Sequence, residues 1–191
     1  MSPELDAKLC ENYPKLMANR FKPMTETAMC WGFDCGNGWY NILNQLMSNI
    51  QHHINWKEEQ RNRAIEHNTM VEKMKAGDFA DFDDMSKTYT PEYKEMQRER
   101  FLSDGARPVP DAIPQVTVDQ VKEKFGTLRF YYTGGDKVID GMVRMAEAMS
   151  GVTCEQCGAP GKRKGHGWIY TACDLHTKEE HKADNVLQDL P

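Results

Sequence analysis

Near the C-terminal end stand two short motifs, Cys154-Glu-Gln-Cys157 and, after fifteen residues, Cys173-Asp-Leu-His176. Each motif presents two soft or borderline donor atoms separated by two residues, which is the spacing found at tetrahedral zinc sites. The sequence therefore predicts a Zn2+ ion bound by Cys154, Cys157, Cys173 and His176. His181, five residues after His176, is an alternative fourth ligand.

The segment between the two motifs is typical of a β-hairpin. Several glycines interrupt it, and Trp168–Ala172 has the composition of a returning strand. A polar segment that favours a helix starts at about Thr177. The succession of knuckle, hairpin and ligand pair at a helix start predicts a treble-clef-like zinc finger.

The composition limits the possible functions. The 191 residues include 39% hydrophobic residues, which is enough for a core. The 24 Lys and Arg residues against 29 Asp and Glu residues give a net charge of -5, which argues against a general nucleic-acid coat. The sequence has no apolar run of membrane length and no signal-peptide pattern at its start. We therefore expect a cytoplasmic protein whose cysteines are metal ligands or buried thiols.

Outside the finger, apolar residues recur at intervals of three and four in two segments, which predicts two amphipathic core helices. The first helix follows Gly38, and the second covers Asp136–Met149. A further helix is expected to start at Ser2 and Pro3. The two apolar faces comprise Trp39, Ile42, Leu43, Leu46, Met47, Ile50 and Ile54, and Val138, Ile139, Met142, Val143, Ala146 and Met149.

The segment that precedes the second core helix is expected to form a short helix and then a strand. Thr117 and Gln120 fit a capping box, with Phe125 facing inward near the end of the short helix. Leu128–Tyr132 alternates between two faces, as a strand does.

These patterns predict an α+β protein with a mainly helical core, a short β element and a C-terminal treble-clef-like zinc finger. Residues 56–105 keep helical propensity but have few apolar positions, which indicates a charged helical arm that either binds a partner or is simply solvated. The expected parts are the N-terminal helical part of the core at 1–55, the inserted arm at 56–105, the helix–strand–helix part of the core at 106–150, and the zinc finger with its C-terminal helix at 151–191.

Several motifs occur together: Val121-Lys-Glu-Lys-Phe-Gly-Thr-Leu-Arg-Phe-Tyr131, Thr153-Cys-Glu-Gln-Cys-Gly-Ala-Pro-Gly161, Gly167-Trp168, Cys173-x-x-His176 and Cys35-Gly-Asn-Gly-Trp39. In this combination the chain resembles a group of small uncharacterised proteins encoded by tailed phages and bacteria. The resemblance covers roughly residues 30–55 and 116–177. It implies a zinc site and a phage or prophage setting, and therefore the host cytoplasm, but no particular reaction.

The fingertip, Gly161–Trp168, is a candidate nucleic-acid-binding element. Lys162, Arg163 and Lys164 are suited to phosphate contacts, and Trp168 is suited to stacking on a base. The alternative is a soluble turn in which Trp168 packs against the zinc knuckle.

Cys30 and Cys35 are candidates for a nucleophile or a second metal site. Cys35 lies close to a helix start, where the dipole lowers the pKa of a thiol. His52 and His53 lie at the far end of that helix, about 25 Å away at the usual rise per residue. Buried structural thiols are therefore the favoured interpretation.

Arg129 and Tyr131 lie on the outward face of the expected strand, with Lys122 and Lys124 nearby. This face is a candidate site for an anion or a nucleotide. A solvated strand face explains the same residues equally well.

The favoured function is a non-enzymatic, zinc-stabilised binding protein, a phage accessory factor that engages a host macromolecule, first of all a host protein, in host takeover or anti-defence. The alternatives are a nucleic-acid-binding protein that acts through the basic finger hairpin, and an enzyme or nucleotide-sequestering protein. HNH nucleases also use a treble clef, but they need several catalytic residues around the finger, and this hairpin offers only His166. The sequence predicts no membrane attachment and does not define the oligomeric state.

Overall fold

A computed structural model describes residues 1–178 of the chain. It shows an α+β protein, about half helical with a small sheet, which confirms the α+β class expected from the sequence. The helices are α1 (Pro3–Asn12), α2 (Tyr40–Lys75), α3 (Ala80–Met85), α4 (Pro91–Asp104) and α5 (Lys137–Ser150). The strands are β1 (Phe33–Asp34), β2 (Thr117–Lys124), β3 (Thr127–Thr133), β4 (Lys162–Lys164) and β5 (Tyr170–Ala172). Short 3-10 helices cover Ala28–Trp31, Asn37–Trp39 and Asp174–His176.

Two expectations concern residues beyond this range. The alternative ligand His181 lies outside the described residues, as does all but the start of the helix expected from about Thr177. Within the described part of the chain, no helix is both long enough and apolar enough to cross a bilayer.

The chain forms two compact units. The first consists of Met1–Ile54 together with the residues from Pro114 onward, and the second is Asn55–Ile113. The segment 56–105, expected as a charged arm, lies within the second unit.

The first unit is built around a three-stranded sheet in the order β1-β2-β3, in which β1 is parallel and β3 antiparallel to β2. The apolar face of the first predicted core helix is buried there, with Trp39, Leu43 and Ile50 fully inaccessible. The hydroxyl of Ser150, at the end of α5, accepts a hydrogen bond of 2.8 Å from the backbone N–H of Leu128 in β3. This contact fixes the end of α5, from which the finger continues.

The short helix expected from Thr117 to about Phe125 is wrong, because Thr117–Lys124 forms β2. Tertiary pairing with β3 outweighs the local capping signal. Lys124 pairs with Thr127 across a two-residue turn in which Phe125 and Gly126 both have positive φ, at 55° and 78°. These angles are those of a type I′ hairpin turn. Phe125 is therefore exposed at the turn, not buried as expected.

The second core helix is confirmed as α5. Asp136 caps it, because its Oδ1 accepts hydrogen bonds from the backbone N–H groups of Val138 and Ile139 at 3.1 and 3.0 Å. Its Oδ2 lies 2.9 Å from Nε2 of His53 in α2. Ile139, Val143 and Ala146 are buried, whereas Val138 and Met149 are exposed, so the buried face is narrower than expected.

The second unit has a small core of its own. Phe82 of α3 is buried and packs edge-on against Phe101 of α4, which also contacts the ring of His67. The side chain of Thr90 caps α4, and Gly105 ends it. The segment that follows is held on α2, where the Arg61 guanidinium donates to the carbonyl of Pro110 at 2.6 Å.

Candidate metal centre

Four side chains near the end of the described chain form what we term the Cys3His cluster: Cys154, Cys157, Cys173 and His176. Their donor atoms all lie within 4.8 Å of one another. The Sγ atoms of Cys157 and Cys173 are 3.8 Å apart. His176 Nδ1 lies 3.5 Å from the sulfur of Cys154 and 3.3 Å from that of Cys173. The four residues predicted as ligands are thus brought together.

These separations fit a single tetrahedral ion. Zinc bonds of about 2.3 Å to sulfur and about 2.05 Å to nitrogen, at tetrahedral angles, place two sulfurs about 3.8 Å apart and a sulfur and a nitrogen about 3.6 Å apart. The cluster therefore has both the donor set and the spacing to hold a metal ion.

Backbone geometry positions the first ligand pair. In the knuckle, Cys154–Gly158, the N–H of Gly158 donates to the carbonyl of Cys154 at 2.8 Å. Gly158 has a φ of 78°, a left-handed conformation that glycine adopts without strain. The second pair lies at the 3-10 helix Asp174–His176, whose last N–H donates to the carbonyl of Cys173 at 3.1 Å.

The thiols of the cluster differ in acidity. Burial opposes ionisation of Cys154, but surrounding backbone N–H groups outweigh it and lower the pKa of this thiol to about 6. These groups belong to Cys173, Cys157 and Gln156. The N–H of Ala159 favours a thiolate at Cys157, yet desolvation and the two neighbouring sulfurs raise the pKa of Cys157. A bound cation would favour the thiolate form at all three sulfurs.

The front motif Cys35–Trp39 docks on the knuckle. The backbone N–H of Gly36 donates to Oε1 of Glu155 at 2.8 Å, and that of Gly38 donates to the Glu155 carbonyl at 2.7 Å. The indole N–H of Trp39 donates to the carbonyl of Thr153 at 2.9 Å. A Cβ atom added at Gly38 would lie 2.2 Å from the carbonyl oxygen of Cys154. Only glycine fits there. Gly36 and Gly38 stand out in the sequence, but nothing in the sequence predicts that they contact the knuckle.

The finger hairpin, formed by β4 and β5, also contacts the β2–β3 turn. The hydroxyl of Thr171 donates to the carbonyl of Gly126 at 2.5 Å. The guanidinium of Arg163 donates to the carbonyl of Phe125 at 2.8 Å. The finger is therefore attached to the sheet as well as to α5.

The three fingertip cations do not share one environment. Lys162 and Arg163 are exposed, but Lys164 is buried, and its Nζ lies 3.1 Å from Oδ1 of Asp174 and 2.5 Å from the hydroxyl of Thr177. The expectation of three solvent-facing cations is therefore wrong for Lys164. Trp168 is 71% exposed and does not pack against the knuckle as the structural alternative required.

Cys30 and Cys35 do not form a comparable site. Cys35 is buried, and burial raises the pKa of its thiol to about 12. The thiol of Cys30 donates to the carbonyl of Thr27 at 3.2 Å. Among residues 1–178, no group of three or more His, Cys, Asp or Glu side chains other than the Cys3His cluster has metal-ligand geometry. Cys35 fits the buried structural role favoured by the sequence, whereas Cys30 is only half-buried.

Arg129 and Tyr131 lie on the outward face of β3. The guanidinium of Arg129 donates to the hydroxyl of Thr127 and to the carbonyl of Leu128, at 2.7 and 2.8 Å. Lys122 pairs with Arg129 across the strands, and its Nζ lies 5.4 Å from the centre of the Tyr131 ring. These contacts are local to β2 and β3.

Comparison with protein-family models, curated proteins and solved structures found no match to this chain.

Proposed function

We propose that the Cys3His cluster binds one structural zinc ion and that the chain is a non-enzymatic, zinc-stabilised binding protein. The observation that supports this most strongly is the fit of four donor atoms within 4.8 Å to a tetrahedral ion. Three thiolates with one imidazole are a donor set of structural zinc sites. Four protein ligands complete the tetrahedron, whereas catalytic zinc keeps a position for water.

The surroundings of the cluster support a treble-clef-like finger. A knuckle supplies the first two ligands, the finger hairpin follows, and a short helical turn carries the last two. In this arrangement the metal joins the chain segments on either side of the finger hairpin, so metal binding is coupled to folding of the finger.

Cys35, one of the candidate nucleophiles, does not support an enzymatic alternative. A thiol with a pKa of about 12, such as that of Cys35, is protonated at neutral pH and unreactive. We therefore infer that the protein acts by binding a macromolecule. The sequence resemblance to phage-encoded proteins supports a role as an accessory factor in a host cell.

Metal analysis tests this proposal. Protein purified without chelator is expected to contain one equivalent of zinc, and removal of the metal is expected to unfold the finger, because structural zinc contributes on the order of 10 kcal/mol. Cys173→Ala should lose the metal, whereas Cys30→Ser, a thiol outside the cluster, should retain it. A zinc content far below one equivalent, or iron in its place, would contradict the proposal.

A further inference from the structure

A second surface lies where the β2–β3 turn meets the fingertip. Phe125 is 61% exposed, and in the described part of the chain it is the one non-glycine residue with positive φ. Position 1 of a type I′ turn favours Asn, Asp or Gly, so a bulky ring there is held in an unfavourable backbone conformation. Strained residues of this kind concentrate at functional sites.

A second exposed ring lies beside Phe125. Trp168 and Phe125 line one cleft of about 230 Å3, together with Glu123, Lys124 and Ile169 among others. Large aromatic side chains left open to solvent on both sides of a cleft can each offer a face to a planar ligand. We call Lys124, Phe125, Arg163 and Trp168 the turn–fingertip surface.

The local charge of this surface is positive. Residues 120–131 and 161–169 together contain one acidic residue, Glu123, and six Lys or Arg, of which only Lys164 is buried and ion-paired with Asp174. The Oε1 atom of Glu123 already accepts a hydrogen bond of 2.5 Å from the backbone N–H of Gly126. Lys124 Nζ lies 5.5 Å from the centre of the Phe125 ring. Cations therefore stand next to the exposed rings.

The acidic character of the whole chain arises largely elsewhere. Residues 55–113 contain 13 Asp and Glu against 10 Lys and Arg, so three of the five excess negative charges belong to the second unit. The net charge of -5 therefore does not describe the turn–fingertip surface.

We propose that the turn–fingertip surface binds single-stranded nucleic acid. Phe125 and Trp168 stack on bases, and Lys124 and Arg163 contact the backbone phosphates. Unpaired bases are required, because base faces are hidden inside a duplex. The inference rests on the proposed zinc finger, since the metal holds the hairpin that carries Trp168.

The direct test is fluorescence anisotropy with two labelled probes of about 12 nucleotides, oligo-dT and oligo-U, a length within the usual range of single-strand sites. In 50 mM KCl we expect a Kd of about 10 µM or lower, and weaker binding to a duplex of the same length. The ratio between the two probes tells DNA from RNA. Absence of saturation at about 100 µM protein with either probe would overturn the proposal.

The Trp168→Ala variant tests base stacking. Loss of one stacking ring should weaken binding by at least about fivefold. Trp31→Ala is the matched control, because Trp31 is 73% exposed. Trp31 lies two residues before Phe33 of β1, which pairs with Val121 of β2, about 13 Å from Phe125 at the usual rise per residue. Equal losses in both variants would contradict a role for Trp168.

The Phe125→Asn variant separates binding from folding. Asn suits the left-handed conformation, so the variant should be at least as stable as the original chain while its affinity falls by at least about fivefold. Phe21→Asn is the control, since Phe21 is also exposed with a cation, Arg20, 5.5 Å from its ring centre. Unchanged affinity in Phe125→Asn would count against the proposal.

The Lys124→Gln variant tests phosphate contact. Loss of this contact should flatten the dependence of log affinity on log salt by about 0.7. Lys22→Gln removes an exposed charge of the first unit from another position and should leave the slope unchanged.

Zinc content and thermal stability are measured for every variant. Full zinc content without nucleic-acid binding would overturn the turn–fingertip proposal, point to a protein partner, and leave the structural zinc proposal standing. Absence of zinc from the original chain would overturn the structural zinc proposal itself.

Discussion

Single residues decide whether the finger can dock on the core, and Gly38 is the sharpest case. Its φ is not in the left-handed region, so the restriction is steric: a Cβ there would meet the carbonyl of Cys154 at 2.2 Å and the N–H nitrogen of Gly158 at 2.4 Å. Backbone atoms cannot move aside as a flexible side chain can. The requirement for glycine comes from the partner segment.

Gly38→Ala is therefore expected to lower the free energy of unfolding by about 2 kcal/mol or more, since the overpacked backbone must shift. The matched change is Gly141→Ala in α5, where an added Cβ meets nothing within 4 Å. That variant should gain up to about 1 kcal/mol from helix propensity. Urea denaturation of both proteins measures the difference, and equal effects would refute the steric explanation.

Asp136 links the cap of α5 to His53, and its ionised form is the one that bonds. Although burial opposes ionisation, hydrogen bonds from His53 and from backbone N–H groups lower the pKa of Asp136. A folded-state pKa below the unfolded value of about 3.9 gives stability that is present above pH 4 and is lost as the pH falls through the folded-state pKa. The stabilisation is thus a property of neutral solution.

We expect Asp136→Ala to cost about 1 kcal/mol or more at pH 7, and Asp136→Asn less, because Asn retains the cap. The difference in the free energy of unfolding between the original chain and Asp136→Asn should shrink as the pH is lowered from 5 towards 2. Denaturation curves at several pH values measure it, with Asp111→Asn, an exposed carboxylate, as control. A stability difference that widens in acid would show that folding raises the pKa of Asp136 and does not lower it.

The members of the Cys3His cluster were predictable from sequence and the docking glycines were not, for a physical reason. Cys154, Cys157, Cys173 and His176 declare themselves by local spacing, and metal chemistry admits few alternatives. The requirement at Gly36 and Gly38 depends on Glu155, which lies 119 residues from Gly36 along the chain. Spacing rules apply to residues that are close in sequence, so they do not predict this contact.

At the scale of elements, helices with a strong apolar face were predicted well and β2 was not. The faces of α2 and α5 carry their period in their own residues. The sequence of β2 is compatible with both a helix and a strand, because Thr117 and Gln120 match a helix-capping pattern while Val118 and Val121 favour a strand. Pairing with β3 and with β1 settles the choice, and that information lies in other parts of the chain.

Strand β4 also shows how adjacent cations take different roles. Lys162 is exposed, whereas the side chain of Lys164 is only 5% exposed. Its ion-pair partner Asp174 is exposed, so the charge interaction itself contributes little. The buried carbon stem supplies most of the stabilisation.

Lys164→Met, which keeps the length of the stem, should therefore be better tolerated than Lys164→Ala, with a difference of about 1 kcal/mol. Lys162→Met on the same strand should change stability by no more than about 0.5 kcal/mol. Thermal unfolding of the zinc-bound protein measures all three. If Lys164→Met were as damaging as Lys164→Ala, the ion pair would be the main contributor.

At the scale of the molecule, the core of the first unit is assembled from two separate parts of the chain. The buried residues of the first unit come from segments before Ile54 and after Pro114, and they include the knuckle. The side-chain amides of Gln51 and Gln115 hydrogen bond to each other at 3.1 and 3.3 Å, so these segments meet where the second unit is inserted. A short linker can therefore replace the insertion.

We expect a chain in which residues 57–111 are replaced by a short Gly/Ser linker to fold, bind one zinc ion and unfold cooperatively, because loop length changes closure entropy only slowly. Calorimetry and metal analysis test this against the full-length chain. A non-cooperative transition in the shortened protein would show that 57–111 is required for the core.

The docking of the front motif on the knuckle also sets an order of events during synthesis. Ribosomes add about 5–20 residues per second, so the 119 residues between Gly36 and Glu155 take roughly 6–24 s to make. For nearly all of that interval the side chain of Trp39, which is fully inaccessible in the finished protein, lacks its hydrogen-bond partner, the carbonyl of Thr153. During this time it is accessible to chaperones and proteases. The front motif is therefore among the last segments to be buried, because its burial requires the knuckle, which is synthesised much later.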